Sequence, residues 1–600
     1  MGCLFGYYGR RMDGLLESMA RLLSHRSARG WERTELLCRD DRIAEIGHGK
    51  QPWTDEADSH VTISPLNAAV GYSGVFFNAR EVLSRAERPG TLPDNLAEIA
   101  GKDPEILEKL EGAFVLALAT DDALYLVRDH AGIKVIYWTV HRERLVFASE
   151  IKALFADPLV RKEMRPAAIT EYLTFSYVPG SRTMFDGIEE LQPGCILRAW
   201  DGGSEIRRHF VFEDLEFSQE KPLPIEHYAS AVRSALEKSV ADACRNLQEP
   251  PAVFLSGGID SSAVLAITAK RFRGTPVKTF SIHFGPDYPN ENEFVTMMVD
   301  RYKTDHTWLE ISPSTFLQRM DHIFWVLDDP IGDPITVPNY LLSETASRFT
   351  PFVLNGEGGD PCFGGPKNIP MILSQIYGRA VSGPSSGAWL EKNYLLSYRK
   401  CHQDLQNLMD PGLYDKAGGD EHLVSVVEPF FKADRPKSFL NKLMVANILL
   451  KGANLILVKV DKMSSANGVL ALPPLFSKDM IEQSMQCPPW FKLDGNIEKA
   501  ILKKAVEDIV PRPIIERPKS GMMVPVRFWF RDEMYKYAKR VLSKKNVNRT
   551  GFFNADYVRK LLRYEMDDVN GFRYGTKLWM LITFMIWYEH ALDTTSPSSI

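Results

Sequence analysis

Between Ala252 and Ser262 a short apolar run, Ala252-Val253-Phe254-Leu255, ends in Ser256-Gly257-Gly258-Ile259-Asp260-Ser261-Ser262. Ser261 to Thr268 then reads as the first turns of a helix. Adjacent glycines let backbone N–H groups approach an anion closely, and a helix start adds the positive end of its dipole. Ser256, Ser261 and Ser262 can donate hydroxyls to phosphate oxygens, and Asp260 can hold a magnesium ion against them. The string lacks the Gly-Lys-Ser/Thr ending of a Walker loop. By itself it also fits an ordinary βα turn. A second string changes that balance: the apolar Phe352-Val353-Leu354 leads into Asn355-Gly356-Glu357-Gly358-Gly359-Asp360. With two glycine loops at strand ends, Asp260 and Asp360 could share magnesium on a pyrophosphate. Glu357 could take a proton from an attacking amine.

These loops need a scaffold that brings strand ends together. Tyr228–Asn246 has the apolar spacing of a helix, and Val277–Phe284 and Thr307–Ile311 read as strands around a helix at Glu291–Tyr302. Alternating β and α implies an α/β domain with a doubly wound parallel sheet, whose ligand site lies off the C-terminal strand ends. Upstream the pattern differs. Cys3–Tyr8, Gly71–Phe77, Ala113–Ala119, Ala123–Arg128 and Arg144–Ala148 read as short strands. Helical patterns at Met12–Leu23, Ile106–Leu110 and Ala167–Phe175 lie between them, which suggests a layered α+β domain. Charge and proline without periodicity from Phe210 to Pro224 mark the junction, so the expected domains are 1–215 and 216–600.

The 600 residues, 44% of them apolar by type, suffice for more than one core. Lys+Arg at 72 against Asp+Glu at 77 leaves a net charge of −5, without the basic excess that nucleic-acid or membrane-surface binding requires. Seven scattered cysteines without a Cys-x-x-Cys pair fit a reducing cytoplasm rather than a disulfide or zinc framework. Leu578–Tyr588 is the longest apolar run. It is too short for the ~20 residues that span a bilayer, and reads as a buried C-terminal helix.

Six ordered motifs resemble the synthetase domain of asparagine synthetases. They are Ser256–Ser262, Thr279–Ile282, Pro330-Ile331-Gly332-Asp333-Pro334, Gly356–Asp360, Val460-Asp461-Lys462-Met463-Ser464 and Arg517-Pro518-Lys519-Ser520-Gly521. The resemblance implies an adenine nucleotide alpha hydrolase-like fold with helical C-terminal elaborations, and ATP and Mg²⁺ as cofactors. Leu255, Ser256, Gly257, Gly258, Asp260, Ser261, Ser262, Ser281, Gly356 and Asp360 would bind ATP and its pyrophosphate. Asp260 and Asp360 would hold the metal, Glu357 would assist the nucleophile, and Lys519 would neutralise the leaving pyrophosphate. Asp461 would fix the geometry of its loop. Where the family reads Glu-Ala-Arg-x-Pro-Phe-Leu-Asp, this chain has Leu470-Ala471-Leu472-Pro473-Pro474-Leu475-Phe476-Ser477. Two readings follow: Leu470 and Leu472 line a pocket for a larger, less charged acid than aspartate, or they pack the core. Asn355 stands in place of a serine, and Pro361-Cys362 in place of an acidic continuation.

The first domain resembles the same family's glutaminase, a class II glutamine amidotransferase with an N-terminal-nucleophile fold. Arg128-Asp129-His130-Ala131-Gly132-Ile133-Lys134 and Phe147-Ala148-Ser149-Glu150-Ile151-Lys152-Ala153-Leu154 carry the match. In that family the nucleophile is a cysteine directly after the initiator Met, whose freed amine is the base. Here Gly2 intervenes, Cys3 could act only if Gly2 were also removed, and the cradle Asn-Gly-Glu appears as Ser73-Gly74-Val75. Gly74 and Asp103 are read as remnants of the glutamine site, Cys3 as a buried small residue, and the domain as one that kept its fold and lost its glutaminase. The expected activity is an AMP-forming amide ligase joining a small-molecule or peptide carboxylate to ammonia, an amine or an amine within the substrate. Partners in the form of nucleic acid or membrane are not expected, and the sequence leaves a homodimer open. A glutamine-hydrolysing asparagine synthetase and a non-catalytic scaffold are the rival readings.

Overall fold

The computed structural model describes residues 2–51, 61–64, 67–84, 92–142, 144–214, 223–365, 368–373, 388–398, 400–518, 523–566 and 573–592. Two six-stranded antiparallel sheets form its N-terminal part. One has Leu4–Gly9 at its interior, between Arg144–Ala148 and Ile43–Gly49; the other places Gly112–Ala119 between Ala123–Arg128 and Ala68–Phe76. The period of two in Leu4–Gly9 divides its side chains cleanly. Leu4 and Tyr8 join the core between the sheets. Cys3, Phe5 and Tyr7 face the other way, into a core shared with the helices Leu15–Leu22 and Pro166–Phe175. This is the layered α+β arrangement expected.

The second part carries a five-stranded parallel sheet. Its strands are β1 (Ala252–Phe254), β2 (Lys278–His283), β3 (Asp305–Glu310), β4 (Phe352–Leu354) and β5 (Leu470–Leu472), in the spatial order 3-2-1-4-5. The order reverses between β1 and β4, so the two glycine loops that leave these strands open into one crevice, the switch point of a doubly wound sheet. The expected strand at Thr307–Ile311 begins two residues earlier, because Asp305 already pairs with Lys278.

Helices surround this sheet, α1 (Ile259–Arg271) directly after the first loop and α2 (Thr336–Ala346) lining the crevice. One element escaped the sequence reading. Phe439–Ser465 is a continuous 27-residue helix; an 18-residue stretch of it has mean hydropathy 1.7 and is 83% buried within the protein. Its central stretch, Asn447–Leu457, is π-helical, and it ends in α3 (Val458–Ser465). π-Helical segments are rare and concentrate at functional sites. Here the widened turn runs along the crevice wall. The apolar C-terminal run lies in the expected buried helix, Tyr574–Leu592.

The hydrophobic core runs from the N-terminal sheets into the second part: Cys3, Phe5 and Tyr172 belong to the same cluster as Phe316, Trp529 and Trp579. A buried ion network joins the two parts too. The Arg26 guanidinium reaches Asp461 at 2.9 Å and Glu150 at 3.3 Å, and Lys134 pairs with the other oxygen of Asp461. Asp461 was expected in a loop. It instead sits within α3, where it receives both N-terminal cations; burial opposes its charge, but these cations hold its carboxyl far below the usual range. Removing one partner from such a buried set costs about 3–5 kcal/mol. The proposed junction at 210–224 is also tighter than its composition suggests. Phe210 and Phe212 are buried, and Asp214 accepts from the backbone N–H groups of Lys437 and Ser438. Residues 215–222 of that junction lie outside the described residues.

Candidate active site

A cavity of about 380 Å³ opens where β1, β2 and β4 end. Leu255, Ser256, Gly258, Asp260, Ser261, Ser281, Gly356, Glu357 and Asp360 all line it. Gly258 caps α1, and the loop hydroxyls bond one another: Ser256 Oγ lies 3.1 Å from Ser261 Oγ and accepts from the Gly258 N–H at 3.3 Å. Gly257 has φ of 73° and sits behind the loop against Phe294, while Ser262 is fully buried; neither lines the cavity. Ser281 donates to the Leu255 carbonyl, tying β2 to the loop.

The two loops touch because of glycine. A Cβ on Gly356 would lie 2.4 Å from the Ser261 nitrogen, and one on Gly359 would lie 2.1 Å from Asp260 Oδ1. Between the loops stands a residue the sequence reading missed. Lys499 Nζ is 2.6 Å from Asp260 Oδ2 and 2.7 Å from Asp360 Oδ1, with its side chain 1% exposed. Burial disfavours its charge, yet the two carboxylates raise its pKa far above the ordinary lysine value. Its backbone is left-handed, with φ of 53°. Strain of that kind costs on the order of 1–3 kcal/mol and persists where surrounding structure dictates it. The one signal in the chain was a lysine after the tight hairpin Leu493–Glu498, which nothing local distinguishes.

Glu357 lines the cavity, and its N–H donates to Asn355 Oδ1 at 3.0 Å, shaping the loop. Asn355 is 5% exposed and lines the same space, yet its Nδ2 has no acceptor among the described residues. A buried donor left so costs about 1–3 kcal/mol, which an acceptor on a ligand would offset. Opposite, Lys459 and Asp333 pair at 2.7 Å on the cavity wall, so the Pro330–Pro334 motif is pinned to α3. Lys519 lies outside the described residues. Its motif begins beside the site, where Arg517 pairs with Glu291 at 3.1 Å and covers the Phe294 ring at 4.1 Å.

The leucine question resolves by strand alternation. Leu470 and Leu472 in β5 belong to the core, with Leu475 and Phe476, and only Ala471 between them reaches the cavity. The pocket reading of these leucines is therefore corrected to core packing. Ser477 caps the helix Lys478–Gln486.

In the N-terminal part, Gly2 is buried, its carbonyl accepting from Ser73 Oγ at 3.0 Å and from Arg26 at 3.4 Å. A Cβ at Gly2 would lie 2.0 Å from the Gly49 carbonyl oxygen. Cys3 is fully buried, its Sγ 3.6 Å from Ser27 Oγ, and burial pushes the thiol up. Gly74 has φ of 128° in its strand, where a Cβ would strike the Ala113 carbonyl. Asp103 directly precedes the turn Pro104–Glu108, its carboxylate 3.8 Å from Lys109 Nζ.

An antiparallel amidotransferase-type sheet pair joined to a doubly wound nucleotide-site domain defines a carbon–nitrogen ligase of two parts. The family model for asparagine synthase matches residues 231–589, and that for the glutamine amidotransferase domain matches residues 1–210. The chain belongs to the asparagine synthase family. It is 27% identical to asparagine synthetase (glutamine-hydrolysing) 1 of Bacillus subtilis, over 91% of this chain and 88% of that one. It is 25% identical to asparagine synthetase (glutamine-hydrolysing) 3 of the same organism, over 84% and 83%. An amidase of Gibberella zeae is 23% identical over 74% and 73%. Such membership carries the use of ATP.

Proposed function

We propose that the protein is an ATP-dependent, AMP- and pyrophosphate-forming amide ligase whose nitrogen does not come from its own hydrolysis of glutamine. The observation that carries this reading is the Asp260–Lys499–Asp360 bridge between two glycine loops at the switch point. Two carboxylates around one cation, facing a cavity, are the oxygen donors that a hard divalent ion takes together with substrate phosphates. Asp260 and Asp360 would hold magnesium there, which would supply charge neutralisation on the pyrophosphate.

The Ser256–Ser261 loop and the N-terminus of α1 would hold ATP so that a substrate carboxylate attacks the α-phosphorus. The bond to the β-phosphate breaks, pyrophosphate leaves with Lys519 as counter-charge, and an acyl-adenylate remains. A nitrogen nucleophile then attacks the acyl carbon, Glu357 takes its proton, and the bond to AMP breaks. An unactivated carboxylate is a poor electrophile, which is why the ATP step comes first. The division of labour follows the proposed domains, 1–215 and 216–600. Loss of the glutaminase is supported by packing: the position after Met, where the family places its cysteine, has no space for a side chain, and Cys3 points into the core.

Pyrophosphate release against a panel of acids, each with ammonia, glutamine or no added nitrogen, tests the reading. Asp260→Ala should abolish release with every acid, and Cys3→Ala should leave ammonia-supported turnover within about twofold. Glutamine-supported turnover that Cys3→Ala removes would instead establish a glutamine-hydrolysing synthetase. Absence of release with every acid would leave a scaffold.

A further inference from the structure

A second, smaller chamber of about 50 Å³ opens beside the main cavity, and the two share Asp360, Pro361 and Lys451 as walls. Apart from those shared residues, the described wall of this chamber carries neither carboxylate nor cation. Tyr394 and Tyr398 present hydroxyls 3.2 Å apart, from the helix Trp389–Tyr398. Asn447, from the π-helical stretch, donates its amide to Asn368 at 3.0 Å. Beyond Asp360 and Lys451, which it shares with the main cavity, the described wall is therefore uncharged, aromatic and rich in hydrogen-bonding groups.

We infer that this chamber receives the distal end of the acid that the enzyme adenylates, and that this end is uncharged and hydrogen-bonding. The substrate class is a carboxylic acid with an amide, hydroxyl or phenol terminus, rather than a dicarboxylic amino acid. The inference rests on the ligase reading above. In that reading the reacting carboxylate would sit at the α-phosphate, next to the pyrophosphate that Asp260 and Asp360 would hold. Lys451, which lines both spaces, is the cation a carboxylate at that point would meet. A tail continuing past Pro361 then enters a space whose described lining holds one cation, Lys451, already matched to the reacting carboxylate, so a second carboxylate would be buried without a counter-ion of its own, at a cost of several kcal/mol. A neutral polar end finds partners in the tyrosine hydroxyls and asparagine amides. The volume equals that of a few water molecules, so it accommodates a terminal group and not a whole substrate. Glu357 lines the main cavity and not the chamber, which assigns the attacking nitrogen to the other space.

Glutaramate and glutarate share a chain and differ in one terminus, amide against carboxylate, and acetate is too short to reach the chamber. With the full-length protein, Mg–ATP and ammonia, pyrophosphate release is expected to favour glutaramate over glutarate and aspartate by about tenfold or more in kcat/KM. Ser397→Leu, which adds bulk to the chamber wall, should raise KM for glutaramate at least about tenfold more than KM for acetate. A preference for glutarate or aspartate would overturn the inference, as would equal effects of Ser397→Leu on acetate and glutaramate. A variant that raises KM for ammonia alone would assign the chamber to the nucleophile. No release with any acid, acetate and aspartate included, would fail the ligase reading itself and this inference with it.

Discussion

Replacing Lys499 by Met removes the ammonium from between Asp260 and Asp360 while keeping most of the side chain's volume. Both carboxylates lie within 2.7 Å of that nitrogen, so the change leaves two acids crowded together without their counter-charge. Breaking a buried ion pair from one side costs about 3–5 kcal/mol. Unfolding entropy of ~2.1 cal/mol/K per residue converts that into a fall in Tm of roughly 2–4 °C for a 600-residue chain unfolding as one unit. The assay is calorimetry of parent and Lys499→Met, each in chelator and in magnesium. In chelator the variant should melt earlier by that amount. Magnesium should restore much of the loss, because a divalent ion at ~100 times its Kd contributes about 2.7 kcal/mol. In the parent the ammonium already neutralises the pair, and no substrate phosphates are present to complete a magnesium site, so magnesium alone should move Tm little. An unchanged Tm in chelator would refute the bridge. A deficit that magnesium does not relieve would refute the two aspartates as a divalent site.

Gly359→Ala should lower pyrophosphate release by about 10²-fold in an otherwise folded protein, because the new Cβ would displace Asp260 by the better part of an ångström or more. Wild-type rates would show that the loops separate freely. Asp329 tests the buried boundary between the two parts. Desolvation, opposed by Lys462 and reinforced by Asp328, raises its pKa to about 7. The folded state therefore binds a proton more tightly than the unfolded chain, and this favourable contribution is lost as pH rises from about 4 to 7. Asp329→Asn should stabilise the protein more at pH 8 than at pH 5 by thermal melting. A constant offset would show that Asp329 does not titrate in this range.

Much of the nucleotide site was legible because it is local. A strand, a glycine turn and a helix start lie within eleven residues at Ala252–Ser262, and each property of the loop follows from its own residue types. The same holds for Asn355–Asp360, for β4 and for the alternation of Leu4–Gly9, where period and apolar content alone specify the element. The sequence by itself determined four of the five parallel strands, the residue types of both loops and the glycine at the position directly after Met. Only tertiary structure could decide what came from far away in the chain. Lys499 is 239 residues from Asp260, and no spacing rule joins a lysine after a hairpin to a loop in another sheet element. Leu470 and Leu472 were ambiguous because apolar residues suit both a pocket and a core, and only the pairing of β5 with β4 fixed which way they point. Asp461 reads as a polar residue in a motif until Arg26 and Lys134 arrive from the N-terminal part of the chain to occupy both its oxygens. The loops write the chemistry in short range; the buried charges that hold those loops in register are chosen by folding, because a charge is buried only where distant partners meet it.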